Sequence, residues 1–539
     1  MRNDDAIEDL GGADAHRTTR HGSAGQMTER TAELVGRSLA PETAAAFDDR
    51  LREQASWLRA AIEEGRMDND DFAVGLEMEL YAVTDGAGPP ALARVPDGVF
   101  EGAANKELGL HNVEINTEPT LLTASGLSAQ ADEIRDRTRA AASSAREHGC
   151  ELALDAMWTL PPDDGAREYL SAIERHDGVV FAENMRQDPR YVAIDNHALQ
   201  YADGGPIPLS VPGADLEFPT ILFESLATSI QPHLQIPAAA DLPAYYNAAI
   251  RTLGPVLALS VNSPFLPAAL YGEPDDPESL VERTHHELRV AAFEQSVNRT
   301  PNAKVRVPRD IESATDVVDR VLEDDPYAPF LREWIEDDAE RRALSDRLWE
   351  FDHKRGTYWR WLRCVVGGDR LDADNDERSL RIEYRPIPTQ PTVTDVVGMS
   401  ALVAGVIRGL VEADHPIAEL PWAAAESSFY SAAESGLDAD LAWVTAEGDR
   451  TDDRAVVFEE LFEHARLGLE TAGIPASDID RYLSPIEARW EAETTPSDWK
   501  KAAVRDALAD GADLETAIAR MQREYLRRSR ETESFAAWL

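Results

Sequence analysis

Four short stretches of the chain, at residues 74–81, 112–116, 230–236 and 381–385, alternate apolar residues with ionisable or amide residues. Successive side chains of a strand point to opposite faces, so this period of two predicts four strands, each with one apolar face. That face is predicted to carry Leu76, Met78, Leu80, Val113, Ile115, Leu234, Ile236, Ile382 and Tyr384. We therefore expect the strands to pack on a core through one face and to leave the other face wet.

The opposite face of these strands is dominated by carboxylates, and it is predicted to carry Glu77, Glu79, Glu114, His233, Glu383 and Arg385. Like charges that are held close together repel unless a cation neutralises them, and Mg²⁺ prefers carboxylate oxygens. An arginine beside such carboxylates suits phosphate, because its planar fork matches phosphate oxygens. The pattern indicates an enzyme with a metal-lined sheet.

Each stretch also has a plainer interpretation in so acidic a chain. Glu77 and Glu79 could lie on a solvated strand edge, and His233 could be a hydrogen-bonded core histidine. Glu383 and its flanking arginines could form surface ion pairs. The amide side chain of Gln231, two residues before His233, favours a wet, ligating face instead.

Helical periodicity surrounds the strands, so the fold class is predicted to be α+β. The chain divides into four predicted regions, which are a flexible acidic tail at 1–27, a helical lead-in at 28–70, a strand-bearing catalytic domain at 71–415 and a helical carboxy-terminal region at 416–539. Residues 358–366 and 379–386 predict a hairpin around an acidic loop, and 393–411 predict an apolar helix. Pro232 lacks a backbone donor, so it predicts an edge position or a bulge for its strand.

Composition excludes several classes of partner. The chain has 539 residues and 43% hydrophobic content, which is ample for a large core. Its 100 acidic residues against 53 basic residues give a net charge of −47, which opposes binding to nucleic acid or to anionic lipid. This excess is typical of a salt-rich cytoplasm, where charges are screened over about 3 Å at 1 M salt. We expect small-molecule substrates and no nucleic-acid or membrane partner.

The two cysteines and the hydropathy pattern indicate where the protein works. Cys150 and Cys364 cannot form a disulfide framework or a zinc site by their spacing, and they suit a reducing interior. The amino terminus has no apolar signal core, and no stretch approaches the ~20 apolar residues of a membrane span. We expect a soluble, cytoplasmic protein. Glycine-rich phosphate loops are also missing from the sequence, so any ATP phosphates would have to be held through metal.

Five motifs occur in one order along the chain. They are Gly-Leu-Glu-Met-Glu at 75–79, Glu107 with Val-Glu-Ile-Asn-Thr at 113–117, Thr-Ser-Ile-Gln-Pro-His-Leu at 228–234, Leu-Ser-Val-Asn-Ser-Pro-Phe at 259–265 and Ile-Glu-Tyr-Arg at 382–385. In this set and order the sequence resembles the glutamate-cysteine ligases and related carboxylate-amine ligases, over residues 71 to about 412. The resemblance implies a glutamine-synthetase-like fold, in which a curved antiparallel sheet backed by helices holds ATP and several Mg²⁺ ions on its concave face. The segments 1–70 and 416–539 lie outside the resemblance.

The resemblance also implies roles for individual residues of this chain. The implied metal ligands are Glu77, Glu79, Glu114, His233 and Glu383. Glu107 matches an acidic residue near the amine-substrate site, and Arg385 matches the arginine that contacts the transferred phosphate. The implied chemistry is transfer of the ATP γ-phosphate to a carboxylate, followed by attack of an amine on the acyl phosphate.

The substrate-binding residues are less completely defined by the motifs. Arg289 or Arg283 would bind a substrate carboxylate, and Arg289 is preferred because its apolar neighbours place it beside a packed helix face. Gln231 and Asn116 are also expected to bind substrate. For a glutamate-cysteine ligase, the acid is the side-chain carboxylate of glutamate and the amine is that of cysteine. A related ligase that joins another acid and amine stays open, as does a silent, ligand-binding homologue whose carboxy-terminal helices dock a partner.

Overall fold

The computed structural model describes residues 15–85, 88–272, 274, 276–334, 347–366 and 380–539, with side chains described from residue 27. The strands are β1 Ala73–Thr84, β2 Asn105–Lys106, β3 Asn112–Asn116, β4 Thr120–Leu121, β5 Cys150–Ala153, β6 Ile173–His176, β7 Val179–Ala182, β8 Ile207–Val211, β9 Ala214–Phe218, β10 Ile230–Gln235, β11 Leu362–Val366, β12 Leu380–Tyr384, β13 Trp443–Val444 and β14 Arg450–Thr451. The helices are α1 Ala15–Ser38, α2 Pro41–Glu63, α3 Ala124–Glu147, α4 Ala166–Ser171, α5 Pro189–Tyr201, α6 Leu242–Ser260, α7 Pro277–Arg283, α8 Leu288–Val297, α9 Asp316–Glu323, α10 Trp349–Arg355, α11 Val393–Glu412, α12 Trp422–Ser435, α13 Arg454–Thr471, α14 Ala476–Glu491, α15 Pro496–Ala509 and α16 Leu514–Glu531.

One antiparallel sheet contains all four predicted strands, as β1, β3, β10 and β12. Its strand order is β11-β12-β10-β1-β3-β2, and β4 and β5 pair with further parts of β1. β1 is 12 residues long, which lets it pair with four other strands. The sheet curls into a half-barrel, which confirms the predicted α+β class and the curved antiparallel sheet.

The two faces of the sheet differ as the alternation predicted. Met78, Leu80, Val113 and Ile382 are fully buried on the apolar face. Their neighbours along the strands carry the ionisable side chains and, in β1 and β3, remain partly exposed. Burial of one face against helices therefore fixes the register that presents the carboxylates on the other, which we call the polar face.

Pro232 corrects one expectation. It lies in β10, which pairs with β1 on one side and with β12 on the other, so the predicted edge position is wrong. The register shift expected of a bulge is present: between the Ser229–Pro388 and His233–Glu383 pairs, three residues of β10 stand against four residues of the opposite segment. The pairing with β12 begins only at His233, opposite Glu383. The proline ring therefore stands just outside that ladder, where its missing N–H leaves no hydrogen bond unmade.

The predicted hairpin before the apolar helix is confirmed by its two strands. β11 and β12 pair in antiparallel register, with Leu362 opposite Tyr384 and Val366 opposite Leu380. The acidic loop predicted between them, at 367–378, lies outside the described residues. These two strands extend the polar face beyond β10.

Helix α11 is the apolar helix predicted at 393–411. Among the described residues it is the one helix long and apolar enough to cross a membrane, but 78% of its most apolar segment is buried inside the fold. It packs on β10, α3 and α6 and very closely on α13. A Cβ at Gly405, Gly409 or Gly468 would meet backbone oxygen of the facing helix, so these glycines let the two helices approach backbone to backbone. The helix is the core of the fold, and its apolar composition follows from burial on all sides.

The amino-terminal boundary differs from the prediction. Helix α1 begins at Ala15, inside the segment 1–27 that was predicted to be a flexible tail, and residues 1–14 lie outside the described residues. Its carboxy-terminal half buries Ala32 and Val35. Tertiary packing supplies most of the stability of a helix, and adding residues to a helix that has already formed costs little free energy. Helix α1 therefore extends past its packed, apolar end.

Candidate functional site

The strand register gathers the five predicted metal ligands on the polar face. Glu77 and Glu79 are two residues apart in β1, and Glu79 lies opposite Glu114 of β3. On the other side of β1, His233 of β10 lies opposite Glu383 of β12. The period of two in each strand, combined with the antiparallel pairing of neighbouring strands, is sufficient to bring these side chains together.

Glu77, His233 and Glu383 form the first group, which we call the Glu77 cluster. One ligand atom from each of the three lies within 4.8 Å of the others. Glu77 Oε1 is 3.5 Å from His233 Nε2. Burial, and then the charge of Glu383, raise the pKa of Glu77 above its usual value. The carboxylates therefore repel each other in the arrangement that the strands impose.

Two arginines already pair with Glu383. Arg363 of β11 donates from Nε to Glu383 Oε2 at 2.8 Å, and Arg385 donates to Oε1. Burial alone would raise the pKa of Glu383, but these guanidinium groups hold it well below its usual value. Glu383 is the charged, fixed member of the Glu77 cluster, with only 1% of its surface exposed.

His233 is held in a defined protonation state. Burial and the charge of Arg381 lower the pKa of His233 to about 3, so the ring is neutral. Arg381 Nε donates to His233 Nδ1 at 2.8 Å, which places the single ring proton on Nε2. Nε2 has no hydrogen-bond partner among the described residues. Ligation of a cation by Nε2 thus requires Arg381 to release Nδ1, so that the proton can move there.

Glu79, Glu107, Glu114 and Glu224 form the second group, the Glu107 cluster. Burial, followed by the charge of Glu79, raises the pKa of Glu107 to about 7. Burial raises the pKa of Glu114 well above its usual value, and Glu77, Glu107 and Glu79 add to the effect. Each of these shifts reports carboxylates that crowd one another without a matching number of cations.

Backbone and amide groups fix the positions of these carboxylates. Glu79 accepts hydrogen bonds from the Ser229 backbone N–H at 2.7 Å and from Gln231 Nε2 at 3.2 Å. Asn116 Nδ2 donates to Glu114 Oε1 at 2.9 Å. Gln231 and Asn116 were predicted to bind substrate, and in the structure both donate to predicted metal ligands.

Of the predicted arginines, the structure brings two to the polar face. Arg385 donates from Nη1 to Gln231 Oε1 at 2.6 Å as well as to Glu383. Arg289 is buried, donates to the Pro386 carbonyl, and its charge acts on Glu79. Arg283 instead donates to Ser279 on its own short helix and is paired with none of these carboxylates.

Sequence reasoning missed three residues of the site. Glu224 lies in a short 3-10 helix, Ile221–Leu226, and burial, followed by Glu79 and Glu107, raises its pKa to about 8. Its signal was a lone carboxylate in an otherwise apolar stretch. Arg363 and Arg381 reach the Glu77 cluster from β11 and β12. Arg381 was taken only as a flanking charge, although its spacing of two from Glu383 already placed it on the same face.

A cavity of about 140 Å³ opens beside the Glu77 cluster. Its lining includes Glu77, His233, Asn116, Gln235 and Arg381. The amide nitrogen of Gln235 is buried there without a hydrogen-bond partner among the described residues. Donors, carboxylates and a neutral imidazole thus converge on one concavity, which is suited to a polar ligand and a divalent cation.

The sheet is an antiparallel half-barrel with a carboxylate-lined face and helices packed behind it. A sequence model of the glutamate-cysteine ligase family 2 (GCS2) matches residues 73–532. The match covers most of the chain, so the protein belongs to this family and is a carboxylate-amine ligase. The resemblance noted from the five motifs is confirmed.

The solved structures that are similar to this chain are distant from it in sequence. The glutamate-cysteine ligase of Francisella tularensis in complex with AMP is 14% identical, with 86% of this chain and 91% of that chain covered at a TM-score of 0.48. A bifunctional glutathione synthetase from Pasteurella multocida is 13% identical, with 89% of this chain and 55% of that chain covered at a TM-score of 0.47. A comparison with curated proteins found no match.

The family match also corrects the extent of the resemblance. The resemblance was placed over residues 71 to about 412, and the segment 416–539 was expected to lie outside it, but the match continues to residue 532. The helices of this segment contribute packing and buried charge pairs rather than short motifs. A pattern read from ligating residues could not include them.

Proposed function

We propose that the protein is an ATP- and Mg²⁺-dependent glutamate-cysteine ligase that forms γ-glutamylcysteine. In the first step the γ-phosphate of ATP moves to the side-chain carboxylate of glutamate, giving an acyl phosphate and ADP. In the second step the amine of cysteine attacks the acyl carbon, phosphate leaves, and the nitrogen loses a proton. The observation that carries the proposal is the excess of carboxylates over arginines on the polar face.

The residues present fit Mg²⁺. Burial, and then repulsion from neighbouring carboxylates, raise the pKa values of Glu77 and Glu114, and a divalent cation relieves that repulsion. His233 Nε2 faces Glu77 without a hydrogen-bond partner among the described residues, and it becomes a ligand atom once Arg381 releases Nδ1 and the ring proton moves there. Glu77, His233 and Glu383 would hold one ion, and Glu79 and Glu114 would complete the set with others. Bound there, Mg²⁺ supplies charge neutralisation for the phosphate oxygens.

Arg385 would orient the transferred phosphate. Its Nη1 group is held between Gln231 and Glu383, which limits the rotation of the guanidinium plane. A planar fork fixed in this way presents its remaining N–H groups to two phosphate oxygens at once. Arg385 Nε is buried without a hydrogen-bond partner among the described residues, so a donor remains for a ligand. Positioning of this kind lowers the entropic part of the barrier.

Glu107 and Glu224 would accept the proton that the amine loses. Burial, followed by other carboxylates of the cluster, raises the pKa of Glu107 to about 7 and that of Glu224 to about 8. A general base works best when its pKa lies near the working pH.

The nucleotide would enter through the cavity beside Glu77, where Gln235 offers an unused amide donor.

Arg289 would bind the substrate carboxylate, and Arg283 supplies a matched control. Arg289 is buried, pairs with Glu287 at 3.3 Å and lies over the Trp361 ring at 5.3 Å, whereas Arg283 is bonded within its own helix. We expect Arg289→Gln to raise the KM for the acid substrate by about tenfold or more, because one charge-assisted pair is lost. Arg283→Gln should leave that KM unchanged. Equal effects of the two variants would remove Arg289 from this role.

The first test is ADP release coupled to mass spectrometry of the product. The full chain is incubated with ATP, glutamate and cysteine at millimolar Mg²⁺ in molar KCl. Appearance of γ-glutamylcysteine is the expected result. ADP without that product would indicate another pair of acid and amine. No ADP with panels of acids and amines would leave the silent homologue as the better interpretation.

We further propose that the enzyme works in a salt-rich cytoplasm. Two buried free thiols and the net charge of −47 support this. The melting temperature should rise from low to molar KCl, because salt screens the repulsion among surface carboxylates. A melting temperature that does not change with KCl would contradict the proposal.

A further inference from the structure

A cavity of about 440 Å³ lies next to the start of β11, outside the carboxylate site. The two residues that precede this strand point in different directions. Arg360 donates to Asp324 at 2.8 Å in the cavity wall, whereas the ring of Trp361 lies beside Arg289 at the polar face. The cavity is therefore separated from the ligase site by the strand backbone, and its size is within the range of small-ligand pockets.

The charge of this cavity is opposite to that of the protein as a whole. Its wall contains Arg306, Arg309, Arg320 and Arg360, and its carboxylates are those of Glu323 and Asp324. Lys304, fully buried, pairs with Asp324 from the inner side, as Arg360 also does. Four arginines against two carboxylates in the lining leave an excess of two positive charges, in a chain whose net charge is −47.

The wall is fixed in place by bonds that leave two guanidinium groups available. Arg320 donates to the carbonyl oxygens of Arg309 and Asp310, and Arg360 donates to that of Lys304. Neither Arg306 nor Arg309 has an ion pair or side-chain hydrogen bond with any other described residue. Arg309 stacks on the Trp422 ring with its central carbon 3.2 Å from the ring centre. This stacking orients one fork before a ligand arrives.

One nearby carboxylate acts against an anion. The charges of Arg309 and Arg306 act on Glu426, on α12, although neither arginine forms an ion pair with it. Glu426 reduces the positive potential of the cavity without occupying either guanidinium. The N–H groups of both arginines therefore stay free to bind a ligand, although the positive potential around them is weaker.

We propose that this cavity binds a small anion carrying at least two phosphate or carboxylate groups, through Arg306 and Arg309. Each fork can match one phosphate or carboxylate in a bidentate way, so a ligand with two such groups engages both arginines. Arg320 and Arg360 hold the wall and contribute charge. The site is independent of the proposed ligase reaction, whose residues lie on the polar face.

The test is calorimetric titration of the full chain with pyrophosphate and, separately, with citrate, in buffer free of divalent metal. Arg306→Gln/Arg309→Gln is compared with Arg135→Gln/Arg139→Gln, which removes the same charge from the exposed face of α3. The first pair should weaken binding of the preferred probe by about tenfold or more, and the control pair by much less. Arg385→Gln should keep this binding, which separates it from any binding of the probe at the ligase site.

The two probes distinguish the sources of the anionic groups. Tighter binding of pyrophosphate would indicate a phosphate ligand, and tighter binding of citrate a carboxylate ligand. Glu426→Gln should strengthen binding by a few-fold, because it removes the opposing charge. The proposal is overturned if wild-type protein binds neither probe, or if the cavity pair and the control pair bind with equal affinity. Arg306 and Arg309 are exposed, so their replacement leaves folding intact, as melting curves would verify.

Discussion

Two buried regions of the molecule contain many charged side chains. In one region these charges are unbalanced, and in the other they are paired. On the polar face of the sheet, burial and mutual repulsion raise the pKa values of Glu77, Glu107 and Glu114. Under the carboxy-terminal helices, Lys500 and Asp155 form a fully buried ion pair at 2.5 Å. The first region has carboxylates without enough cations, and the second matches each charge with a partner.

The buried pair connects distant parts of the chain. Lys500 of α15 also donates to the Asn262 carbonyl at 2.7 Å, and Gln522 of α16 donates to Asp155 at 2.6 Å. Tyr81 of β1 donates to the same carboxylate at 3.1 Å. The network therefore fastens the carboxy-terminal helices to the sheet. Satisfied buried charges organise the fold, whereas unsatisfied ones indicate where a ligand must complete the structure.

Lys500→Met tests the comparison in the region where the buried charges are paired. It should lower the free energy of unfolding by about 3–5 kcal/mol, because it leaves the Asp155 carboxylate buried without its cation. Denaturant unfolding monitored by circular dichroism measures the change. The double variant Lys500→Met/Asp155→Asn should recover most of the loss, since no unpaired charge remains. A double variant as unstable as the single one would show that packing, not charge, is responsible.

Glu77→Gln tests the same comparison on the polar face. It should lower kcat by about 10²–10³-fold, because it removes a ligand oxygen from the Glu77 cluster. The stability of the metal-free protein should stay equal or rise, because Glu77 no longer repels Glu383. Glu147→Gln, an exposed substitution at the end of α3, is the control for both measurements. Full turnover in Glu77→Gln would exclude it from the metal set.

The polar face could be predicted from sequence because its pattern is local. Glu77, Glu79 and Glu114 stand at alternate positions of apolar strands, and a period of two fixes the face that they share. Antiparallel pairing then brings His233 opposite Glu383. The fold followed from the same strands together with the order of the motifs.

The rest of the site depends on contacts that no local pattern contains. Glu224 reaches the Glu107 cluster from a 3-10 helix, which has no alternation to reveal a face. The predicted hairpin placed Arg363 on the strand beside Glu383, but only the pairing register of β11 and β12 sets the two residues opposite each other. Lys500 and Asp155 are 345 positions apart, so their pairing depends on the completed fold. Long-range packing decides each of these positions, and single-sequence periodicity carries no information about it.

Added Mg²⁺ should balance the carboxylates of the polar face, as Lys500 balances Asp155 in the other region. Millimolar MgCl₂ should raise the stability of the metal-free protein by about 2.7 kcal/mol at one hundred times its Kd, since only the folded state holds the carboxylates together. Thermal unfolding with KCl added to equal ionic strength measures the specific part. Glu77→Gln should lose much of the shift, whereas Glu147→Gln should keep it. Equal shifts in the two variants would indicate general screening rather than a site.

The smallest effect expected is the pH dependence of the metal-free protein. Burial, followed by Glu79 and Glu107, raises the pKa of Glu224 to about 8 in the folded state, against an ordinary value of 4.5. The folded state therefore keeps a proton that the unfolded state releases. The resulting stabilisation is fully present below about pH 4.5 and is lost as the pH rises through about 8.

Glu224→Gln removes this proton exchange and leaves a side chain of the same size. Between about pH 5 and pH 9, the wild-type free energy of unfolding should fall by roughly 1–3 kcal/mol more than that of the variant, allowing for partial exposure of the group. Urea unfolding at each pH, with chelator present, measures the difference, and Glu147→Gln should follow wild type. Parallel pH profiles for wild type and Glu224→Gln would mean that Glu224 ionises normally. It would then belong with the solvated surface carboxylates and not with the crowded polar face.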